Sequence, residues 1–106
     1  MKYNNKKTFV DGIKFDSKRE SDRYIELKLL ERSGQISDLI LQPRFELIPN
    51  YEISGRKVRK TVYVADFQYT ENGKIIVEDA KGFKTKDYLI KKKLFEFKYG
   101  IEITEV

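Results

Sequence analysis

The stretch "VADFQYTENGKIIVEDAKG", residues 64–82, predicts a β-hairpin that decides the fold. Its centre, Asn72-Gly73, lies between two runs rich in β-branched and aromatic residues. A two-residue type I′ turn needs positive φ at both central positions, and Asn-Gly is among its strongest sequence signals. A turn at these two residues determines which side chains of the two strands face each other, and it places Asp66 opposite Asp79.

This acidic pair needs a compensating charge. Directly opposed side chains have Cβ atoms roughly 4.5–5.5 Å apart, and like charges at that separation destabilise a sheet. Lys81 lies two residues beyond Asp79, and therefore on the same face of the strand, diagonally across from Asp66. The spacing predicts a cation site with a lysine beside it.

Two other interpretations of the hairpin stay open. A bulge or a longer turn would separate the two aspartates. Glu78 is the rival for the acidic position, but strand alternation turns it away from Asp66, so Asp79 is preferred.

Composition limits the chemistry that such a site can use. The chain has 106 residues, 40% of them hydrophobic and 37% charged, which predicts one folded domain over residues 1–106 with a flexible segment at residues 1–7. It contains neither cysteine nor histidine, which excludes disulfides, Cys/His zinc sites and Ser-His-Asp triads. A bound metal must therefore accept oxygen ligands, which favours Mg²⁺ with Mn²⁺ as a substitute.

Charge and hydropathy indicate the partners. The formal net charge is +5, and the basic segments "RKVRK" (56–60) and "KGFKTKDYLIKKKLFEFK" (81–98) flank the acidic pair. This distribution favours a nucleic-acid partner, although lysines that only solubilise a small domain would give a similar pattern. No long apolar run, signal peptide or lipidation motif is visible, so we expect a soluble cytoplasmic protein without membrane contact.

The rest of the chain predicts helices and strands around the hairpin. A first small hairpin turns at Asp11-Gly12, and Pro43 interrupts an apolar run into two strands. A helix from about Ser17 to Ser33 begins with a Ser17/Glu20 capping box. A second helix spans roughly residues 85–98, and "IEITEV" closes the chain as a strand.

Two patterns predict how these elements pack. The strand before Asn72 is apolar on both faces, with Tyr63, Ala65 and Phe67 sharing one of them, which is typical of a strand covered on both sides. The second helix carries two apolar stripes, the first formed by Ile90, Leu94 and Phe97 and the second by Tyr88, Phe95 and Tyr99.

This arrangement resembles the PD-(D/E)XK nuclease superfamily. Asp66 is followed on the next strand by Asp79-Ala80-Lys81, and Glu20 stands on the preceding helix. The runs "FDSKRESDRYIEL", "LQPRFEL" and "YVADFQYTENGKIIVEDAKGFKTKDYLIKKKLF" are similar to a family of short phage-encoded proteins assigned to that superfamily. Ala65 departs from the pattern, because it occupies the position before the first acid, where the P of PD-(D/E)XK denotes a proline.

The resemblance implies a fold and a set of roles. The implied fold is an α/β restriction-endonuclease-like core in the order αβββαβ, a mixed central sheet flanked by helices, with the first hairpin as an addition. Asp66 and Asp79 resemble the metal-binding acids, the Ala80 carbonyl a further ligand, and Lys81 the lysine that orients the attacking water. Glu20 resembles the first-helix glutamate that binds or orients the metal or its water; a purely structural capping-box role is its alternative.

The resemblance also implies an activity, namely Mg²⁺-dependent hydrolysis of phosphodiester bonds in DNA, with branched DNA such as a Holliday junction as a substrate in phage recombination or packaging. Four residues near the second helix are candidates for phosphate contact, and a solvated helix face is the alternative: Lys84, Thr85, Lys91 and Lys92. Because one short chain carries one site, cutting both strands favours a symmetric dimer, with the second stripe of the last helix as its interface. The alternatives are a catalytically inactive nucleic-acid-binding phage accessory protein and a metal-dependent enzyme acting on nucleotides or RNA.

Overall fold

The structure is a computed structural model that describes residues 7–81 and 83–106, and these residues form two helices and ten strands. The strands are β1 (Thr8–Val10), β2 (Ile13–Phe15), β3 (Ser37–Leu41), β4 (Arg44–Ile48), β5 (Tyr51–Ile53), β6 (Arg56–Val58), β7 (Thr61–Val64), β8 (Phe67–Glu71), β9 (Lys74–Asp79) and β10 (Ile103–Glu105). The helices are α1 (Lys18–Arg32) and α2 (Lys86–Tyr99). The predicted mixed α/β class is confirmed, whereas the predicted flexibility of residues 1–7 falls, except for Lys7, outside the described residues.

A four-stranded sheet in the order β10-β9-β8-β3 forms the centre of the molecule. Asn72 and Gly73 have φ values of 52° and 76°, as a type I′ turn requires. The antiparallel ladder of β8 and β9 ends with Phe67 opposite Glu78, and the Asp66 N–H also donates to the Glu78 carbonyl, at 3.1 Å. The predicted register is confirmed from Glu71 opposite Lys74 to Phe67 opposite Glu78. Asp66 lies outside this ladder, at a bulge-like irregularity where it and Phe67 both face Glu78.

The two helices cover opposite faces of this hairpin. Tyr24 and Leu27 of α1 pack in one buried cluster with Phe67 of β8. Tyr88 of α2 packs in a second cluster with Val77 of β9. The α2 helix connects β9 to β10, which lies parallel to β9, as a crossover between parallel strands requires. The hairpin is buried on both sides, as its apolar pattern predicts.

The prediction of one continuous strand face before Asn72 is wrong. Tyr63 and Ala65 belong to the cluster under α2, whereas Phe67 belongs to the cluster under α1. The chain bends between Ala65 and Asp66 because the segment changes partners there: β7 pairs with β4, and β8 pairs with β3 and β9. This bend brings Tyr63 to the same side of the sheet as Asp79.

The assignment of the two stripes of α2 is also corrected. Tyr88 and Phe95, from the stripe expected to form a dimer interface, are buried in the core, and Tyr99 packs on Phe95 with ring centroids 5.1 Å apart. In the other stripe, Phe97 is 93% exposed and Ile90 is also exposed, whereas Leu94 is half-buried against the core. The tertiary contacts of α2 with β4 and β7 decide which stripe is buried.

The predicted ends of the elements agree with the structure. The Ser17 hydroxyl caps α1 by accepting from the Glu20 N–H at 3.1 Å, and Gly100 ends α2 with φ 69°. Asp11-Gly12 forms the turn between β1 and β2, and Pro43 separates β3 from β4. Over the described residues, neither helix has the length and apolarity that a bilayer crossing requires.

A buried ion pair joins α1 to the central hairpin. Arg23 donates to both carboxylate oxygens of Glu78, from Nε at 2.8 Å and from Nη2 at 2.6 Å, and the Tyr69 hydroxyl donates to the same carboxylate. Glu78 is fully buried. A buried carboxylate requires such partners because its desolvation is otherwise uncompensated.

We expect Arg23→Met to lower the free energy of unfolding by about 3–5 kcal/mol, because Glu78 would remain buried without its cation. Urea denaturation followed by circular dichroism measures this. The double variant Arg23→Met/Glu78→Leu should recover most of the loss, since it removes both charges. Lys18→Met, which breaks an exposed pair with Asp22, should change stability by less than about 1 kcal/mol. A loss in Arg23→Met no larger than in Lys18→Met would contradict the role of the pair.

Candidate functional site

The candidate site lies just beyond the pair of Phe67 and Glu78, where the regular β8–β9 ladder ends. Asp66 follows the bend after β7, and its backbone is anchored on both sides: its N–H donates to Glu78, and its carbonyl accepts from the Gln42 N–H at 2.9 Å. The Asp66 side chain reaches across the ladder, where Oδ2 accepts from the Ala80 N–H at 2.7 Å. The position of this carboxylate is therefore set by the sheet itself.

Asp79 is the most constrained acid of the site. Only 1% of its surface is exposed, and the Tyr63 hydroxyl donates to its Oδ2. Its other oxygen, Oδ1, is buried and has no hydrogen-bond partner among the described residues. Burial raises the pKa of the Asp79 carboxyl well above its ordinary value, and the adjacent Asp66 carboxylate raises it further, while the Tyr63 hydroxyl opposes the shift.

Lys81 provides the positive charge beside this pair. Its Nζ lies 3.7 Å from Asp79 Oδ1, which is an ion-pair distance but too long for a strong hydrogen bond. The same ammonium lies 4.7 Å from the centre of the Tyr88 ring, in a cation–π contact. Lys81 is thus held between an acid and an aromatic face, near the oxygen that lacks a donor.

Glu20 reaches the site from the first turn of α1. Burial raises the pKa of its carboxyl to about 7, and the charges of Asp66 and Asp16 act in the same direction, whereas a hydrogen bond with the Gln42 side chain opposes them. Glu20 therefore lies within electrostatic range of Asp66. Its backbone N–H is capped by Ser17, so the helix-cap contact and proximity to the site coexist.

Glu105 extends the row of acids across a third strand. The parallel register of β10 sets Glu105 beside Asp79. Three groups hold its carboxylate: the Tyr88 hydroxyl at 2.7 Å, Lys84 Nζ at 2.9 Å and Lys92 Nζ at 3.5 Å. The Tyr88 hydrogen bond and then Lys84 lower the pKa of Glu105 to about 2. Glu105 thus has two hydrogen-bonded or close cationic partners, whereas Asp79 has one cation, Lys81, at 3.7 Å and no hydrogen-bond donor to Oδ1 among the residues that the structure describes.

The four residues predicted to contact phosphate already have partners within the protein. Lys84 and Lys92 bind Glu105, and Lys91 lies 3.7 Å from Asp87. The Thr85 hydroxyl caps α2 by accepting from the Tyr88 N–H at 3.0 Å. Their contact with a nucleic acid stays a prediction, and it requires phosphate to compete with these carboxylates.

Sequence reasoning missed Tyr63, Tyr88 and Glu105 as parts of this site. A tyrosine at a buried position needs a hydrogen-bond partner, so Tyr63 on a core-facing strand position was a usable signal for a nearby acceptor. Glu105 carried no comparable signal, because its position beside Asp79 depends on the parallel pairing of the last strand with β9.

The donor set can be tested against a bound cation. Over residues 7–81 and 83–106, no three acidic side chains lie close enough together to form a ready-made metal cluster. The arrangement therefore offers two adjacent carboxylates, Asp66 and Asp79, with main-chain oxygen and water as the further ligands. Asp79 Oδ1, which has no hydrogen-bond donor among the described residues, fits a cation, because a positive ion would satisfy this oxygen and relieve the repulsion between the carboxylates.

Comparison with known proteins shows one family. A family model described as "Protein of unknown function (DUF1064)" matches residues 1–104, and the chain belongs to this family. No curated protein and no solved structure matches the chain.

We expect Glu105→Gln to lower the free energy of unfolding at pH 7 by about 1–2 kcal/mol, because the carboxylate, 21% exposed, loses its ionic contacts with two lysines. The folded-state pKa of about 2 lies below the ordinary 4.5. The ionised group therefore stabilises the protein above pH 4.5, and its contribution is lost as the pH falls toward 2.

Urea denaturation at several pH values measures the difference between Glu105→Gln and the unchanged protein, which should narrow below pH 4.5. The matched control is Glu102→Gln, since Glu102 is exposed and has no ion pair within the part of the chain that the structure describes. A loss at pH 7 that is equal for the two variants would refute the role of Glu105.

Proposed function

We propose that this protein is a Mg²⁺-dependent endonuclease that hydrolyses phosphodiester bonds in DNA, with a restriction-endonuclease-like core. One observation carries the proposal: Asp66 and Asp79 lie close together, and the buried Oδ1 of Asp79 has no hydrogen-bond donor among the described residues, with the ammonium of Lys81 3.7 Å away. A protein whose only task is binding a polyanion gains nothing from two acids held together near that surface.

Mg²⁺ fits the donor set because every available ligand is an oxygen. Asp66 and Asp79 would hold it, with the Ala80 carbonyl and Glu20 as further ligands, directly or through water. When bound, such an ion polarises a phosphoryl oxygen and lowers the pKa of a bound water.

Lys81 would orient the attacking water and stabilise the negative charge that develops on the phosphate. Its ammonium is suited to this role because Tyr88 holds it from one side without neutralising it. Tyr63 would keep the Asp79 carboxyl ionised, since its hydroxyl donates to Oδ2 and thereby opposes the rise in the pKa of Asp79. Gln42 would restrain Glu20 through the hydrogen bond between their side chains.

The arrangement of elements supports the assignment to the PD-(D/E)XK class. A mixed four-stranded sheet has helices on both faces, Asp79 ends β9, Asp66 directly precedes the adjacent strand β8, and the glutamate comes from the first helix. Branched DNA as the substrate, action in the cytoplasm of a phage-infected host cell and a symmetric dimer that cuts both strands are further parts of the proposal. These parts rest on the resemblance of the sequence alone.

The rival function is nucleic-acid binding without catalysis. It is favoured by the deep burial of Asp79 and by the lack of a third clustered carboxylate among the described residues. Measurements of DNA cleavage and of metal binding distinguish the two functions, because only the nuclease needs both.

We expect the intact protein to cleave plasmid or four-way-junction DNA with Mg²⁺, and Asp79→Asn or Lys81→Ala to reduce the rate by about 10²-fold or more. Gel electrophoresis of timed digests measures the rate, and thermal unfolding confirms that each variant is folded. Lys74→Ala, at the opposite end of β9, is the matched control and should cut normally. Unchanged cleavage by Lys81→Ala would defeat the site assignment, and DNA retention without cleavage by the intact protein would favour the rival.

We also expect the protein to bind Mn²⁺ at the acidic pair, and Asp66→Asn to weaken binding by about tenfold or more because one of two charged ligands is lost. Titration followed by the electron paramagnetic resonance signal of free Mn²⁺ gives the affinity. Asp22→Asn, on the exposed surface of α1, is the control. Equal Mn²⁺ affinity in all three proteins would exclude a metal site between Asp66 and Asp79.

A further inference from the structure

A β-ribbon arm formed by β5 and β6 stands apart from the central sheet as its own two-stranded sheet. Ser54 and Gly55 make its tight turn with φ values of 51° and 75°. Its base is closed by the Lys60 N–H, which donates to Asn50 Oδ1 at 2.7 Å. The arm is thus a defined hairpin, pinned at its base, with nearly all of its residues exposed.

The arm carries much of the positive charge of the protein. Four cations, namely Arg56, Lys57, Arg59 and Lys60, stand against the single acid Glu52, so residues 51–60 hold a net charge of +3 out of +5 for the chain. Glu52 is directly opposite Lys57 in the ladder, yet the two side chains form no ion pair. Within residues 7–81 and 83–106, no carboxylate lies at ion-pair distance from any of these four cations.

This availability distinguishes the arm from α2. Lys84, Lys91 and Lys92 are engaged with carboxylates of the protein, so a phosphate must displace those partners before it can bind. The cations of the arm need no such displacement. Tyr51 and Ile53, 48% and 49% exposed, add an apolar face to the same ribbon.

The arm is also tethered close to the acidic pair. Lys60 is six residues from Asp66, a separation of at most about 20 Å even if the chain is fully extended. This length corresponds to about six base pairs of duplex DNA. A duplex held by the base of the arm therefore has phosphates within reach of Asp66 and Asp79.

We propose that the arm is a clamp that binds the phosphate backbone of duplex DNA on one side of the position that the acidic pair acts on. The proposal deepens the proposed function and rests on it for the choice of DNA as the partner. A two-stranded ribbon has the width that the major groove of B-DNA admits, and unpaired cations along it supply sequence-independent affinity.

Binding of a 30-base-pair duplex in EDTA tests the clamp independently of cleavage. Fluorescence anisotropy at several salt concentrations compares the intact protein with Lys57→Gln/Lys60→Gln. Each lost phosphate contact removes about 0.9 from the slope of log K against log salt, so the arm variant should bind more weakly with a slope lower by about 2.

The matched control is Lys14→Gln/Lys74→Gln, which removes the same charge from exposed lysines outside the arm and outside the acidic pair. It should keep the slope of the intact protein. Three outcomes would each overturn the clamp. The arm variant keeps the salt slope of the intact protein, both variants lose the same affinity for the duplex, or the intact protein does not bind the duplex at 50 mM salt. The first two outcomes contradict only the clamp and leave the nuclease proposal unaffected. The nuclease proposal is tested separately by Lys81→Ala, which should lose cleavage but bind the duplex with the same affinity as the intact protein.

Discussion

The antiparallel pairing of β8 with β9 is the constraint on which the other features of this protein depend. Positive φ values at Asn72 and Gly73 set a two-residue turn, and the turn sets the register of every pair that follows. A shift of one residue would turn each side chain to the opposite face of the sheet. The same register therefore builds both hydrophobic clusters and brings Asp66 beside Asp79, so the core and the candidate site cannot change independently.

The buried acids on the two faces of this hairpin have different sets of hydrogen-bond partners. On the α1 face, Glu78 receives two hydrogen bonds from Arg23 and one from Tyr69, which leaves it fully compensated. On the α2 face, Asp79 receives one from Tyr63 and keeps an oxygen without a donor. Lys81 lies 3.7 Å from that oxygen, too far for a strong hydrogen bond. A buried acid with a full set of donors is explained by stability, whereas one that lacks a donor costs stability and calls for another reason. This contrast between adjacent residues is the physical basis for assigning function to Asp79 rather than Glu78.

The positive charges follow a similar division. Lysines on and before α2 neutralise the acids near them, Glu105 above all, and so maintain the surroundings of Lys81. Cations on the β5–β6 arm have no acidic partner among the described residues. Net charge alone does not distinguish these two groups of cations, because cations paired with carboxylates attract a polyanion less than unpaired cations do. The distribution of ion pairs decides which lysines are available to phosphate.

The sequence by itself determined the local features: the Asn72-Gly73 turn, the capped α1 helix, the break at Pro43 and, through the turn, the β8–β9 register as far as Phe67 opposite Glu78. These follow from φ preferences and from contacts a few residues apart, which the chain encodes directly. Only the tertiary structure decided which stripe of α2 is buried, that the bend between Ala65 and Asp66 brings Tyr63 to Asp79, and that Glu105 lies beside Asp79. Each of these depends on which distant strand becomes the neighbour, and a local pattern carries no information about that choice.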